Sequence, residues 1–319
     1  MLTDKRISIV VVNYKDEGSI RELHRRATEV LKKITSDYEI VYVNDASPDS
    51  SEQILRELAA QDDKLTVILH SRNFGRENAF TCGLMQANGD AVIIMDGDLQ
   101  DPPELMEEFV AKWLEGYQVV YGVRIKREDS LSRVFKFFYR WFYIVFSKMV
   151  PFKVPRDTGD FSLMDRRVVD QMNALPEKDR FTRGLRAWVG FNQTGVGFFR
   201  AERFWGASTQ QSFFKSFALA RKAIFSFSYK PLEWIFTAAI LSVFALLAAL
   251  VFYVINYFFH PDQPRGFSTL LVAVLFIGSV QLVVLSFISE YLRRIFEEVK
   301  SRPISIVQEI INNHKKTPR

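Results

Sequence analysis

The run Val92-Ile93-Ile94-Met95-Asp96-Gly97-Asp98-Leu99-Gln100-Asp101-Pro102-Pro103-Glu104 decides how this chain is read. Its first four residues are apolar and three are β-branched, which predicts a strand buried on both faces. The strand ends in two acids separated by glycine. A helix starts at once, with Asp101 placed to cap it and proline in its first turn. Carboxylates one residue apart at a strand terminus can bind one hard divalent cation that also holds a diphosphate, leaving water in the remaining octahedral positions. Asp98 is the first candidate ligand, with Asp96 and Gln100 in support. The plainer alternative is a capped acidic turn with no ligand.

Working outward, apolar β-rich runs at Ile7 to Val12, Tyr38 to Asn44, Leu65 to Leu69 and Gln118 to Val123 join the run at Ala91 to Met95. They alternate with helical patterns near 18–34, 50–60, 76–87 and 103–115, the rhythm of a mostly parallel α/β sheet. Ligands of such sheets sit at the carboxyl ends of strands. At the first strand end Tyr14 can cover a base or ribose and Glu17 can accept a ribose hydroxyl. At the second, Asp45 can accept the imide N–H of uracil. At the third, Arg72 and Arg76 can meet phosphate oxygens. Each of these residues also suits an ordinary turn or helix start.

With 42 Lys+Arg against 37 Asp+Glu the net charge is 42 − 37 = +5, far from that of a dedicated nucleic-acid binder, and no RNP, zinc-finger or arginine-rich pattern occurs. The single cysteine, Cys82, excludes an internal disulfide framework and any cysteine-based zinc site, and fits a reducing cytoplasmic setting. The amino terminus lacks the apolar core and cleavage site of a signal peptide. Neither G-x-x-x-x-G-K-[ST], nor a strand-to-helix G-x-G-x-x-G, nor H-E-x-x-H is present, which removes P-loop, dinucleotide and zincin chemistry.

The averages conceal a partition. No charged residue occurs from Trp234 to Phe259, nor from Phe267 to Ser289, and each stretch is long enough to span a bilayer as a helix. The loop between them carries only Arg265, whereas seven Lys and Arg follow the second stretch, so the positive-inside rule places both chain ends in the cytoplasm. The expected organisation is a catalytic α/β domain over 1–211, an amphipathic helix over 212–231, two transmembrane helices at about 232–259 and 267–289, and a cytosolic helix and tail over 290–319. Eight of the chain's aromatic residues crowd 131–150 beside Arg133, Lys136 and Arg140, a pattern suited to a helix in the headgroup plane. An amphipathic helix packed on the sheet fits 131–150 and 212–231 as well.

In order along the chain stand Tyr14 and Glu17, Val43-Asn44-Asp45-Ala46-Ser47, Ser71-Arg72-Asn73-Phe74-Gly75, Asp96-Gly97-Asp98-Leu99-Gln100-Asp101-Pro102-Pro103, Thr158-Gly159-Asp160-Phe161 and the membrane hairpin. This order resembles the polyprenyl-phosphate glycosyltransferases of glycosyltransferase family 2, related to dolichol-phosphate mannose synthase and nearest to the bactoprenol glucosyltransferases. The resemblance implies a GT-A catalytic domain, Rossmann-like with a mostly parallel sheet, followed by a two-helix transmembrane hairpin. It implies Mg2+ or Mn2+, a nucleotide-sugar donor and a polyprenyl phosphate such as undecaprenyl phosphate as acceptor. Carried over by position, Asp45 resembles the uracil-binding aspartate, Asp96, Asp98 and Gln100 the metal-diphosphate set, and Asp160 the acid beside the acceptor phosphate. The family's R-x-x-G-x-[ST]-K-[WY] reads here Arg203-Phe204-Trp205-Gly206-Ala207-Ser208-Thr209-Gln210, without the lysine. Its phosphate contact then passes to Arg203, Lys215 or Arg200, with Ser208 as a further candidate, or else the donor differs.

The expected reaction is inverting transfer of one sugar, UDP-glucose being the leading donor, at the cytoplasmic face of a bacterial inner membrane, for modification of a cell-envelope glycan. A UDP-amino sugar, UDP-galactose or GDP-mannose donor, or a non-catalytic membrane adaptor, are the alternatives. The processive synthases' Q-x-x-R-W is absent, which argues against a polymer product. A second copy of the chain and a downstream flippase are further partners to be tested.

Overall fold

The computed structural model describes residues 1–125, 158–201, 204–205, 228, 230–259 and 266–313. Among them eight strands form one sheet in the order β7-β5-β6-β4-β1-β2-β3-β8. The strands are β1 Ile7–Asn13, β2 Tyr38–Asn44, β3 Leu65–His70, β4 Ala91–Asp96, β5 Val119–Arg124, β6 Thr158–Asp165, β7 Gln193–Phe198 and β8 Val307–Ile311. The first five lie where the apolar runs place them.

β1 pairs in parallel with β2 on one side and β4 on the other, and β2 pairs in parallel with β3. Their residues are buried along nearly their whole length because helices cover both faces. Alternation along a strand sends successive side chains to opposite layers. Ile7, Ile9 and Val11 of β1 therefore pack under α1 Glu17–Ile34, α2 Ser51–Ala59 and α4 Met106–Leu114, while Val10 and Val12 pack under α3 Arg76–Gln86, α5 Arg166–Ala174 and α6 Thr182–Trp188. In α1 the buried set Ile20, Leu23, Ala27, Val30, Leu31 and Ile34 makes one helical stripe, and each large member contributes about 1.5–3 kcal/mol by leaving water.

The chain steps from β1 to β2 and β3 in one direction and returns to place β4 on the other side of β1. That reversal opens a crevice at the carboxyl ends of β1 and β4. β6 then runs antiparallel to β4, with Ile94 opposite Ser162. Continuing that register by two residues sets Asp160 level with Asp96.

Two helices stand apart from this core: α7 Lys230–Phe259 and α8 Phe267–Val299. Each contains a stretch long and apolar enough to cross a membrane, and none of either stretch is buried within the molecule. At the carboxyl end the second helix runs on without a break past 289 to Val299, and within the expected tail Val307–Ile311 forms β8, antiparallel to β3. The β-branched run Val307, Ile310 and Ile311 meets an open sheet edge there, which supplies the ladder partners that a short isolated strand lacks. Asn312 anchors it, its amide donating to the Ala59 and Leu65 carbonyls. The helix expected at 131–150 lies outside the described residues, as does nearly all of that expected at 212–231.

Candidate functional site

The ends of β1, β2, β3 and β4 converge, and the backbone is strained where they do. Lys15, Ala46 and Leu99, just beyond β1, β2 and β4, all have positive φ (61°, 51° and 57°), a conformation that side-chain-bearing residues rarely hold without surrounding constraint. At the end of β4 the constraint is visible. The Gly97 amide donates to the Val12 carbonyl at 2.9 Å and its own carbonyl accepts from Ser19 Oγ at 2.6 Å. A Cβ on Gly97 would come within 3.0 Å of the Val12 oxygen, so glycine is what lets the two flanking acids sit against β1.

Asp96 is largely buried and receives Arg76 at 3.1 Å. Burial raises its pKa, and the neighbouring Asp160 and Asp98 add to that, against the pull of Arg76. Asp98 is half-buried and accepts the Gln100 amide at 3.1 Å. Gln100 holds the 199–201 segment, accepting the Ala201 amide at 3.2 Å and donating its side-chain amide to the Ala201 carbonyl at 3.5 Å. Asp101, expected as a helix cap, makes no capping bond: it is buried, and its Oδ1 has no hydrogen-bond partner. Burial, with Asp96 nearby, pushes it up to about 7 against the pull of Arg124 and Arg200.

These residues fit a divalent cation. The end of β4 gathers three carboxylates, Asp96, Asp98 and Asp101, and among the described residues the buried Asp101 Oδ1 has no hydrogen-bond partner. Among the described residues no three His, Cys, Asp or Glu side chains form a closed cage. Two carboxylates suit a hydrated ion that completes its shell with substrate diphosphate.

Asp160 lies on β6, and Asp165 at the end of that strand caps α5 by accepting the Arg167 amide. Arg183 grips Asp160 with two parallel bonds of 2.8 Å, and Arg76 reaches the same carboxylate at 2.8 Å. Burial alone would raise the Asp160 carboxyl, but Arg183 and Arg76 hold it well below the usual carboxylate range. Arg186, fully buried, donates to the Asp160 and Gly159 carbonyls, and burial pushes it down to about 10. Glu77 accepts the Thr182 amide, and burial beside Asp160 raises it. Arg76 thus bridges Asp96 and Asp160.

The residues expected on the nucleotide side are placed differently. Asp45 is buried and accepts from the Phe74 and Gly75 amides and His70 Nδ1, each at 2.8 Å. Burial would raise its pKa, but these donors lower it, while the same carboxylate, with Cys82, carries His70 up to about 9. Glu17 accepts the Ser50 amide at 2.8 Å, tying α1 to α2. Tyr14 is exposed, and the Trp205 indole lies over Gly18 so closely that a Cβ there would collide with it. Arg72 is exposed with its guanidinium over the Phe74 ring, and Arg200 is exposed. Arg203, Ser208 and Lys215 lie outside the described residues. Arg183, Arg186 and Glu77 escape sequence reading because nothing local marks them: two lie on a short helix and one begins α3, and only packing turns them toward Asp160.

The model of the family described as glycosyl transferase family 2 matches residues 8–172. The chain belongs to this family. It is 42% identical to an uncharacterised glycosyltransferase of Synechocystis sp. over 305 residues, 95% of each chain. It is 35% identical to the SfII prophage-derived bactoprenol glucosyl transferase of Shigella flexneri over 314 residues, 98% of this chain and all of that one. Among solved structures, the mannosyltransferase PcManGT of Pyrobaculum calidifontis, in complex with GDP-Man and Mn2+, covers 88% of this chain and 87% of its own at a TM-score of 0.45 and 19% identity. The family 2 membership accords with the mostly parallel sheet and the acids at the end of β4.

Proposed function

We propose that this family 2 enzyme transfers a single glucose from UDP-glucose to undecaprenyl phosphate at the cytoplasmic membrane face, inverting the anomeric carbon. The observation that carries the reading is the Arg76 bridge. It sets Asp96, the first acid of the D-x-D on the donor side, within one side chain of Asp160, where an acceptor phosphate would be received. The full-length likeness to proteins named bactoprenol glucosyl transferase supports glucose and the lipid carrier.

In this reading Asp98 and Asp96, with Gln100 behind them, hold Mg2+ or Mn2+, which supplies charge neutralisation to the departing diphosphate when bound. Tyr14, Glu17 and Asp45 form the nucleotide side, with Arg72 near the donor phosphates. A lipid phosphate oxygen attacks the anomeric carbon from the face opposite the diphosphate. The new carbon–oxygen bond forms as the bond to the β-phosphate oxygen breaks, and its electron pair leaves on UDP. A phosphate monoester, with second pKa of about 6, is already largely dianionic at neutral pH, so no proton need be removed from it. Asp160, ionised and gripped by Arg183, then serves to aim Arg76 and Arg183 at the acceptor phosphate, and Arg200, Arg203, Ser208 and Lys215 remain the further candidates to contact it. The apolar helices α7 and α8 bring the site to the plane where that phosphate lives.

The test incubates purified full-length protein with Mg2+ or Mn2+, undecaprenyl phosphate and a panel of UDP- and GDP-sugars, with Asp98→Ala as control. Glucosyl-phosphoryl-undecaprenol formed from UDP-glucose, and reduced by about a hundredfold in the variant, is the expected result. Selective use of another donor would replace the sugar assignment, and no transfer from any donor would overturn the reading.

A further inference from the structure

The end of α8 does more than leave the hydrocarbon region. Glu298 accepts the Lys178 amide at 2.8 and 3.1 Å through its two oxygens, and the Asp179 amide at 3.2 Å. One helical turn earlier, Arg294 Nη1 donates to Asp179 Oδ2 at 2.8 Å. Two residues spaced i, i+4 on one helix face thus seize the same two residues of a loop. The bonds to Glu298 are charge-assisted, the stronger kind.

That loop leads directly into α6. Arg180 is buried and donates to the Met172, Leu175 and Glu177 carbonyls, which leaves the turn no slack. Thr182, the first residue of α6, gives its amide to Glu77, and Arg183 follows with its two bonds to Asp160. Lys178, Asp179 and Arg180 also face Arg76 and Glu77 across a cavity of about 200 Å³. From Glu298 to Arg183 the path is therefore a few residues of braced backbone. The uncharged part of α8 ends at Ser289, nine residues before Glu298, or roughly 13 Å along the helix.

Resting on the proposed function, we infer that Glu298 and Arg294 are positioning residues for the transfer reaction. They clamp the 177–180 loop so that the apolar hairpin sets where Arg183, and through it Asp160 and Arg76, stands relative to the lipid phosphate. Neither residue touches the reacting atoms. Their effect is on the geometry of the acceptor side, not on the donor side built from β1, β2 and β4.

The experiment uses the full-length protein in phospholipid nanodiscs with undecaprenyl phosphate. Glu298→Ala is expected to lower kcat on the order of tenfold to a hundredfold, the scale on which small misplacements act, while UDP-glucose affinity by calorimetry is unchanged. Glu298→Gln, which still accepts N–H bonds, should retain more activity than Glu298→Ala. Asp179→Arg and Arg294→Asp should each lower kcat, and the double exchange should recover it, a rescue that a merely structural role would not produce. Wild-type kcat in Glu298→Ala, or parallel loss of donor affinity with no rescue by the exchange, would overturn the inference. Hydrogen exchange across 177–188, measured without substrate, decides the clamp independently: faster exchange in Glu298→Ala supports it and unchanged protection refutes it. Absence of sugar transfer by the wild type would instead count against the proposed function.

Discussion

Asp45 and Asp160 are both buried carboxylates at the mouth of one sheet, and they are neutralised in opposite ways. Asp45 is satisfied by two backbone amides and one imidazole, all from the segment 70–75 that follows the next strand. Asp160 is satisfied by guanidinium groups from α3 and α6, on elements 84 positions before it and 23 after it. The first arrangement is a short-range fold of the β3–α3 connection around one acid. The second is a network of charges that exists only when three elements have packed. Dipoles and one titratable ring hold the first in place, whereas permanent charges hold the second and leave it ready to meet an anion.

The largest effect is expected where that network is broken. Asp160→Asn keeps the shape but leaves Arg183 without its counter-charge and Arg76 with only its pairs to Asp96 and Glu77. Transfer should fall by about a hundredfold, the scale on which misplacing groups at a reacting centre acts. Stability should fall by about 3 kcal/mol, at the lower end for a buried pair because Arg76 reaches solvent. Steady-state kinetics and denaturant titration measure both. Unimpaired activity would show the arginines to be arranged without Asp160, and the contrast with Asp45 would collapse.

A smaller effect, and one with a pH signature, is expected on the Asp45 side. The folded pKa of His70 is raised to about 9 from an ordinary value of ~6.5. Its contribution to stability is therefore fully present below pH ~6.5 and lost as pH rises through about 9. Asp45 is lowered, so its contribution is present above its ordinary ~3.9 and lost as pH falls through the depressed value. The melting-temperature gap between wild type and His70→Gln should be widest near pH 6 and close toward pH 9. A gap that stays constant over that range would mean that His70 is held neutral, and that amides alone satisfy Asp45.

The smallest effect is expected where charges pair in water. Arg56 and Glu309 join α2 to β8 with both side chains more than two-fifths exposed. Arg56→Ala should move the melting temperature by no more than about 2 °C. A larger fall would mean that β8 is held to the sheet by this pair rather than by its ladder and Asn312. Burial would then no longer rank the three ion pairs.

The parallel half of the sheet was legible in the sequence because each of its strands is a short apolar run ending in a polar cluster, a pattern carried by neighbouring residues. The same local character exposed the D-x-D at the end of β4, the acid at 45, and two stretches without charge long enough for a bilayer. Asp160 was marked only through likeness to a family pattern. Its partners Arg183 and Arg186 were not marked at all, since an arginine on a short helix reads the same whether it faces solvent or a buried acid. The strand at 307–311 was hidden for the related reason that five residues of alternating character become a strand only against an open edge.

The sequence by itself thus determined the layer architecture, the paired acids at the end of β4 and the two apolar helices, all of which follow from periodicity and composition within a few tens of residues. Only the tertiary structure decided that Arg76 links Asp96 to Asp160, that Asp45 spends its oxygens on the 70–75 segment, that Asp101 is buried, and that Glu298 grips the loop leading to Arg183. Charge pairing acts through space and is strongest where water is excluded, and which side chains lose their water together is settled by packing rather than by order along the chain.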